Sequence, residues 1–148
     1  MNKIELSIIF PCFNEADNIP QLVSKLKNIV ADNIEIILVD NGSTDNTKLV
    51  LSKELDVDSC NIIYTCVKKN IGYGHGIMSG IELANGEVIA WTHADLQTDP
   101  KDVLDAFQLY ISTPNYKNFI LKGKRVGRNI FDFFFTFGMG IISSILMR

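Results

Sequence analysis

The sequence predicts an α/β fold in which a mainly parallel sheet carries helices on both faces. Three observations support this fold class. Short runs of aliphatic and β-branched residues alternate along the chain with segments whose apolar residues recur at helical spacing. Strands that alternate with helices form parallel sheets, because each helix supplies the crossover between two strands. A polar loop follows each of the first four predicted strands, at the end of the sheet where α/β proteins bind ligands.

The apolar runs place four strands and one candidate strand, and the helical spacing places the helices between them. The predicted strands cover residues 6–10, 34–39, 62–67 and 88–91, and the candidate fifth strand covers residues 118–121. The predicted helices cover residues 18–30 and 46–55, a segment carrying Ile77, Ile81 and Ala84, and residues 100–111. Pro20 and Pro100 lie in first turns, where proline is favoured, and Asp99 is expected to cap the last helix. Gly86 is expected to end the third helix.

Length and composition describe a folded protein and exclude one class of partner. The chain has 148 residues, 47% of them hydrophobic and 21% charged, which suffices for one domain with a single core. A formal net charge of −3 argues against nucleic-acid binding, which needs a basic surface. The three cysteines, Cys12, Cys60 and Cys66, show no metal-ligand spacing and predict free thiols in a reducing, cytoplasmic compartment.

An apolar segment at residues 130–147 differs from the rest of the chain. Asp132 is its only charge, and its length is near the minimum for a membrane span. Because it also contains Gly138, Gly140 and two serines, a helix in the membrane interface or packed on a partner is the preferred interpretation. A core helix is the alternative. The predicted domains are therefore residues 1–128 and an apolar helix at 129–148.

The loops after the four strands are expected to meet at one edge of the sheet. Asp40, at the end of the second strand, could accept hydrogen bonds from a nucleobase imide or a ribose hydroxyl. The glycines in residues 68–76 allow backbone to approach a ligand, and the helix that follows offers N–H groups to an anion. Turn formation and helix capping are the alternatives for these polar residues.

The loop after the fourth strand offers oxygen ligands. Asp95 and Gln97 are separated by one residue and would point the same way on an extended segment, towards one hard cation or a diphosphate. His93 lies one pleat away and could bind the same group. A divalent cation that bridges a diphosphate uses few protein ligands. A structural role is the alternative for His93.

Four motifs follow one another along the chain: FPCFNE at residues 10–15, VDNGSTD at 39–45, NIGYG at 70–74 and ADLQTDP at 94–100. In this order they resemble the motifs of family-two glycosyltransferases, and the nearest subgroup is the dolichyl- or polyprenyl-phosphate sugar synthases. The resemblance implies the GT-A fold, with its Rossmann-like sheet, over residues 1–128. It also implies an inverting transfer of a sugar from a UDP- or GDP-sugar, helped by Mg²⁺ or Mn²⁺, to a polyprenyl or dolichyl phosphate.

The resemblance also implies roles for individual residues. Eight residues are assigned to the nucleotide: Pro11, Asn14, Glu15, Asp40, Asn70, Gly72, Gly76 and Ala94. Three residues are assigned to the metal: Asp95, Gln97 and His93. Asp95 and Arg125 are assigned to catalysis, and Arg128 is a weaker candidate near the acceptor phosphate. Two positions depart from the family pattern. His93 replaces the first aspartate of an Asp-x-Asp motif, which affects metal affinity and metal choice. Asn41 replaces a second acidic residue, which should weaken contact with the base or ribose.

Three functions are weighed. The leading hypothesis is a metal-dependent hexosyltransferase, peripheral at the cytoplasmic face of a membrane. The first alternative is a module that binds a nucleotide-sugar but is inactive or truncated. The second alternative is a nucleotidyltransferase. Such an enzyme is expected to have a glycine-rich loop after the first strand, and residues 11–15 contain no glycine. The sugar, the base, the acceptor and the oligomeric state are left open.

Overall fold

The structure is a computed structural model that describes residues 3–55, 61–115 and 119–123. The chain divides into two compact units, residues 1–116 and residues 117–148. In the second unit the described residues are 119–123, which have no regular secondary structure. The candidate fifth strand is therefore wrong over residues 119–121, where Ile120 is 90% exposed. A β-rich tripeptide forms a strand only with a partner to pair with. The predicted boundary at residue 128 and the apolar helix at 129–148 lie outside the described residues.

The first unit contains four strands and four helices among its described residues. The strands are β1 (Leu6–Cys12), β2 (Ile34–Asp40), β3 (Ile62–Cys66) and β4 (Val88–Trp91), and the helices are α1 (Ile19–Lys27), α2 (Thr47–Glu54), α3 (Tyr73–Ile81) and α4 (Lys101–Ser112). All strand pairs are parallel, and the strand order is β3-β2-β1-β4. The parallel α/β sheet predicted from the sequence is confirmed.

The sheet is covered on both faces. On one face, β1 and β2 pack against α1, α2 and α4 in a large core that contains Phe10, Leu22, Leu51 and Phe107. On the other face, Ile9, Ile37 and Val39 form a smaller cluster with the α3 end that carries Ile81. The order of the strands reverses between β1 and β4, and such a reversal opens a crevice at the carboxyl ends of the two strands.

Pro11 lies inside β1, although proline is rare in a central strand because it has no N–H to donate. The carbonyl of Ile9 accepts from Thr92 on the β4 side, and the carbonyl of Cys12 accepts from Asn41 on the β2 side. Since alternate residues bond to the same side, Pro11 faces the β4 side. The pairing of β1 with β4 ends at Ile9, so β1 has no strand partner there and the missing N–H costs no ladder bond.

Three helix boundaries differ from the prediction by more than one residue. The third helix ends at Ile81, before its predicted stop. The helix predicted over residues 18–30 ends at Lys27, and Ile29 and Val30 contact the core from the following turn. The segment predicted as a glycine-rich connection becomes helical already at Tyr73. Glycine disfavours helices, but tertiary packing overrides propensity here. Among the described residues, none of the helices has the length and apolarity needed to cross a bilayer.

Candidate active site

The loops after β1 and β2 are bonded to each other. Asn14 adopts a left-handed conformation with φ of 57°, which asparagine tolerates better than most residues. Its N–H donates to Ser43 Oγ at 3.0 Å, and its Oδ1 accepts from the N–H of Thr44 at 2.8 Å. The N–H of Glu15 donates to Thr47 Oγ1 at 2.8 Å. The two loops therefore form one surface at the carboxyl end of the sheet.

Asp40 ends β2 beside the last residue of β1, Cys12. The Asp40 side chain is 3% exposed, and its Oδ1 accepts from the N–H of Ser43 at 2.9 Å. Asp40 thus shapes the turn that follows it. Burial, with the charges of Glu15 and Asp40, raises the pKa of the Cys12 thiol, so Cys12 remains a protonated core residue at neutral pH.

The glycine-rich segment is bonded to the β2 loop. Gly72 has φ of 127°, and its N–H donates to Asn70 Oδ1 at 2.9 Å. Gly76 is buried, and a Cβ on it would lie 2.9 Å from Asn41 Cγ and 3.1 Å from Pro11 Cβ. Gly76 is therefore required for the close approach of α3 to the ends of β1 and β2. Its predicted contact with a nucleotide could come only through the backbone.

The loop after β4 is a tight turn, and the prediction of an extended segment is wrong. Leu96 has φ of 59°, and Asp95 Oδ1 accepts from the N–H of Gln97 at 3.0 Å. The hydroxyls of Thr92 and Thr98 lie 3.1 Å apart and close the turn. Asp95 and Gln97 are therefore brought together by a turn, not by the alternation of a strand.

The exposures of the loop residues differ. The Asp95 side chain is partly buried, whereas His93 and Gln97 are exposed. Ala94 is 3% exposed and packs in the larger core, so its side chain offers no surface to a ligand. The predicted contact of Ala94 with a nucleotide is thereby limited to its backbone.

Tyr73 links the start of α3 to this loop, and the sequence reasoning missed it. Its ring stacks on the His93 imidazole with a centroid distance of 4.9 Å and an interplanar angle of 15°. Burial, together with the charge of Asp95, raises the pKa of the Tyr73 hydroxyl. The only sequence signal was its place between Gly72 and Gly74. Together with the bonds above, this stack joins the four strand-end loops in series, as their predicted convergence requires.

The donor set fits a cation that is shared with a phosphate. In residues 3–55, 61–115 and 119–123, no three His, Cys, Asp or Glu side chains lie close enough together to enclose a metal ion. The residues that remain are the Asp95 carboxylate, one oxygen of which accepts from a backbone N–H, the Gln97 amide and the His93 ring. Mg²⁺ is commonly held by one or two carboxylates plus substrate phosphates and water, so this set fits it. Arg125 and Arg128 lie outside the described residues.

A family model described as glycosyl transferase family 2 matches residues 7–138. Three curated relatives illustrate the subgroup. An undecaprenyl-phosphate 4-deoxy-4-formamido-L-arabinose transferase of Proteus mirabilis is 31% identical over 70% of this chain and 32% of its own length. The corresponding protein of Pseudomonas fluorescens is 34% identical over 66% of this chain and 30% of its own length. A dodecaprenyl-phosphate galacturonate synthase of Rhizobium johnstonii is 33% identical over 70% of this chain and 31% of its own length. The chain spans about one third of the length of these relatives.

Solved structures share the fold. A mannosyltransferase of Pyrobaculum calidifontis, in complex with GDP-Man and Mn²⁺, matches with a TM-score of 0.65 and 21% identity over 77% of this chain and 34% of its own. TarS 1–349 of S. aureus, in complex with UDP, matches with a TM-score of 0.62 and 21% identity over 86% of this chain and 39% of its own. The GT-A fold predicted from the sequence is confirmed for the described part of the chain.

Proposed function

This chain belongs to glycosyl transferase family 2, and on that premise we propose that it transfers a sugar, with inversion, from a UDP- or GDP-sugar to a polyprenyl or dolichyl phosphate. The observation that carries the proposal is the series of contacts that joins the four strand-end loops at the β1–β4 crevice. The names of the curated relatives support a lipid-phosphate acceptor, and the ligands of the structural neighbours support a nucleotide-sugar donor.

In the proposed complex the nucleoside lies on the paired loops after β1 and β2. Asn14 and Glu15 line this surface, and Pro11 lies buried beneath it. Asp40, whose Oδ1 also holds the turn that follows it, is the proposed acceptor for the base or the ribose. The diphosphate lies at the start of α3, near Gly72, where first-turn N–H groups and the positive end of the helix dipole favour an anion. The roles proposed for Asn70, Gly76 and Ala94 are to shape this loop and to present backbone groups.

Asp95, Gln97 and His93 are the residues that would hold Mg²⁺ or Mn²⁺ in this chain. When bound, the ion would supply positive charge that stabilises the diphosphate as it leaves. The chain's own contribution is to hold the Asp95 carboxylate in place through the N–H of Gln97 and to hold the His93 ring against Tyr73. Both restraints act before any ligand binds.

The proposed acceptor is an anion, and it attacks without strong deprotonation. Arg125, outside the described residues, is the proposed contact of the acceptor phosphate. We further propose that the chain acts at the cytoplasmic face of a membrane and that the apolar segment at residues 130–147 lies in the interface. The basic residues at 122–128 would face the anionic headgroup of the acceptor.

Calorimetric titration of the 148-residue chain with UDP and with GDP, with and without Mn²⁺, tests the donor site. We expect one nucleotide to bind, more tightly with the metal, and Asp40→Asn and Asp95→Asn each to weaken binding by about tenfold or more, since a bond to a charged group contributes about 1.5–3 kcal/mol. Asp105→Asn, on the exposed surface of α4, is the matched control and should bind as the unaltered chain does. Absence of nucleotide binding under all of these conditions would refute the proposal.

The inactive nucleotide-sugar-binding module is the second candidate, and the observation in its favour is that His93, where the resemblance implies a metal-binding aspartate, stacks its ring on Tyr73. A transfer assay with labelled donor and polyprenyl phosphate separates the two candidates once binding is found. Binding without transfer, together with turnover gained on His93→Asp, favours the module. Transfer by the unaltered chain favours the enzyme.

A further inference from the structure

Asn41 follows β2 directly and turns its side chain away from solvent. Its N–H donates to the carbonyl of Cys12 at 2.7 Å and so extends the ladder between β1 and β2. Its side chain is 2% exposed, and Nδ2 donates to the carbonyl of Gly72 at 3.0 Å. The amide of Asn41 therefore bonds to the glycine loop, and its effect on contact with a base or ribose stays a prediction.

The surroundings of this side chain suit an amide and not a carboxylate. They present one acceptor, the carbonyl of Gly72, which also accepts from the N–H of His75 at 3.2 Å. Asn41 Oδ1 is buried and has no donor among the described residues. Gly76 packs so closely that a Cβ there would lie 3.1 Å from Asn41 Nδ2. A carboxylate at position 41 would thus face the carbonyl oxygen of Gly72, with no compensating donor among the described residues.

We propose that Asn41 is a positioning residue whose amide N–H fixes residues 72–76, the start of α3, in the conformation that receives the donor diphosphate. This inference rests on the proposed function for the ligand and on the structure for the contact. Gly72 needs such a restraint, because glycine has no Cβ to restrict its backbone, and its φ of 127° is therefore fixed only by contacts with neighbouring residues. The amide donor is therefore the chemical requirement at this position.

Asn41→Asp tests the amide donor alone, because asparagine and aspartate are nearly isosteric and the side-chain shape is kept. At pH 8 the carboxylate cannot donate to Gly72, and we expect nucleotide affinity to fall about ten- to a hundredfold. At pH 5.5 the buried carboxyl regains a proton that it can donate, so part of the loss should be recovered. The titratable groups on the elements around it are Cys12, Glu15, Asp40, Tyr73 and His75. Since the unaltered chain has the same groups, the ratio of the two affinities at each pH isolates position 41.

The experiment uses the 148-residue chain with Asn28→Asp as the control. Asn28 Nδ2 also donates to a backbone carbonyl, that of Ser24 at 3.0 Å, but it is exposed at the end of α1. The measurements are the affinities for UDP and GDP with Mn²⁺ at pH 8 and pH 5.5, and amide hydrogen exchange of residues 70–76. We expect Asn41→Asp to speed exchange in this segment and to weaken binding at pH 8. Asn28→Asp should change neither quantity.

A second variant keeps the test decisive if Asn41→Asp does not fold. Asn41→Leu removes the donor without adding charge, so its exchange should be faster and its loss of affinity independent of pH. The inference is overturned if a folded variant binds and exchanges like the unaltered chain, or if the loss in Asn41→Asp is the same at both pH values. If the unaltered chain binds neither nucleotide, the proposed function fails, and the exchange of residues 70–76 still decides whether Asn41 holds the loop.

Discussion

Glu35→Gln should lower the free energy of unfolding by about 3 kcal/mol, through a buried carboxylate at the end of the sheet opposite the crevice. Glu35 lies in β2 and is 6% exposed. Its Oε1 accepts from Ser7 Oγ at 2.6 Å and from the N–H of Asn85, and its Oε2 accepts from Asn85 Nδ2 at 3.1 Å. Ser7 Oγ in turn accepts from the N–H of Gly86 at 2.7 Å. One carboxylate thus ties β1 and β2 to the turn that leads into β4.

The magnitude follows from these three bonds. A hydrogen bond to a charged group contributes about 1.5–3 kcal/mol and a neutral one about 0.5–1.5 kcal/mol. Glutamine has one accepting oxygen, so the bonds from Ser7 and from the N–H of Asn85 become neutral, whereas the bond from Asn85 Nδ2 is lost because the new NH₂ group cannot accept it. A loss of about 1 kcal/mol per bond gives about 3 kcal/mol in total, although burying a neutral group costs less than burying a charge.

Urea unfolding at pH 7, followed by far-UV circular dichroism, measures this difference. Glu5→Gln is the control, because the Glu5 carboxylate also accepts from an asparagine amide, that of Asn33 Nδ2 at 2.7 Å, but is exposed. The control should change stability by less than about 0.5 kcal/mol. Equal effects of the two substitutions would refute the role assigned to Glu35.

The same carboxylate predicts a pH dependence. Burial raises the pKa of Glu35, but the hydrogen bonds from Ser7, Asn85 and Gly86 together lower it by more than burial raises it. The folded-state pKa therefore lies below the ordinary value of 4.5. The stabilisation is therefore fully present above about pH 4.5 and is lost as the pH falls through the lowered pKa. The stability difference between the unaltered chain and Glu35→Gln should narrow in that range. A constant difference from pH 7 to pH 3 would contradict this assignment.

Three further predictions concern the α3 face, the thiols and the metal. Gly80→Ala should lower the melting temperature, because a Cβ there would lie 2.5 Å from Ile9 Cγ2. Such overpacking costs about 1–3 kcal/mol, which exceeds the gain in helix propensity from alanine. An unchanged melting temperature would count against this packing. A thiol reagent should label Cys66 in the folded chain and Cys12 only after unfolding, since Cys66 is exposed and Cys12 is fully buried; equal rates by peptide mass spectrometry would contradict this. His93→Asp should raise the affinity for Mg²⁺ relative to that for Mn²⁺ in the presence of nucleotide, because carboxylates suit hard cations. Electron paramagnetic resonance of Mn²⁺ under competition from Mg²⁺ measures the ratio of the two affinities. An unchanged ratio would exclude His93 as a ligand.

The parts of the fold that were predictable are those governed by burial. Every residue of β1 and β2 is buried, and both strands read as apolar runs in the sequence, interrupted by Ser7 in β1 and Glu35 in β2. β3 and β4 have more exposed side chains, yet their β-branched residues still identified them. The candidate fifth strand was also a short apolar run, with Phe119, Ile120 and Leu121. Its failure shows that composition marks a strand only where a partner strand is present.

The parts of the site that were not predictable depend on single contacts between loops. Leu96 has a positive φ, which leucine avoids, and no pattern in the sequence signals it. The bond from Gln97 to Asp95 and the contact between Thr92 and Thr98 impose it. The motif placed Asp95 correctly in the loop that follows a strand. The direction of the Asp95 side chain, however, is set by a turn that is closed by contacts between residues two and six positions apart.

The lengths of the strands explain how one ligand could reach all of the loops. β4 ends opposite Ile9, whereas β1 and β2 continue together to Cys12 and Asp40, three residues farther along β1. At about 3.3 Å per residue, the edge of the sheet therefore has a step of roughly 10 Å. In the proposed complex the nucleoside occupies the higher side of the step, and Asp95 reaches the phosphates from the lower side. Pro11 fits this arrangement, because its missing N–H faces the side of β1 that has no strand beyond Ile9. A substitution that extended β4 pairing along β1 would close the crevice before it affected the core.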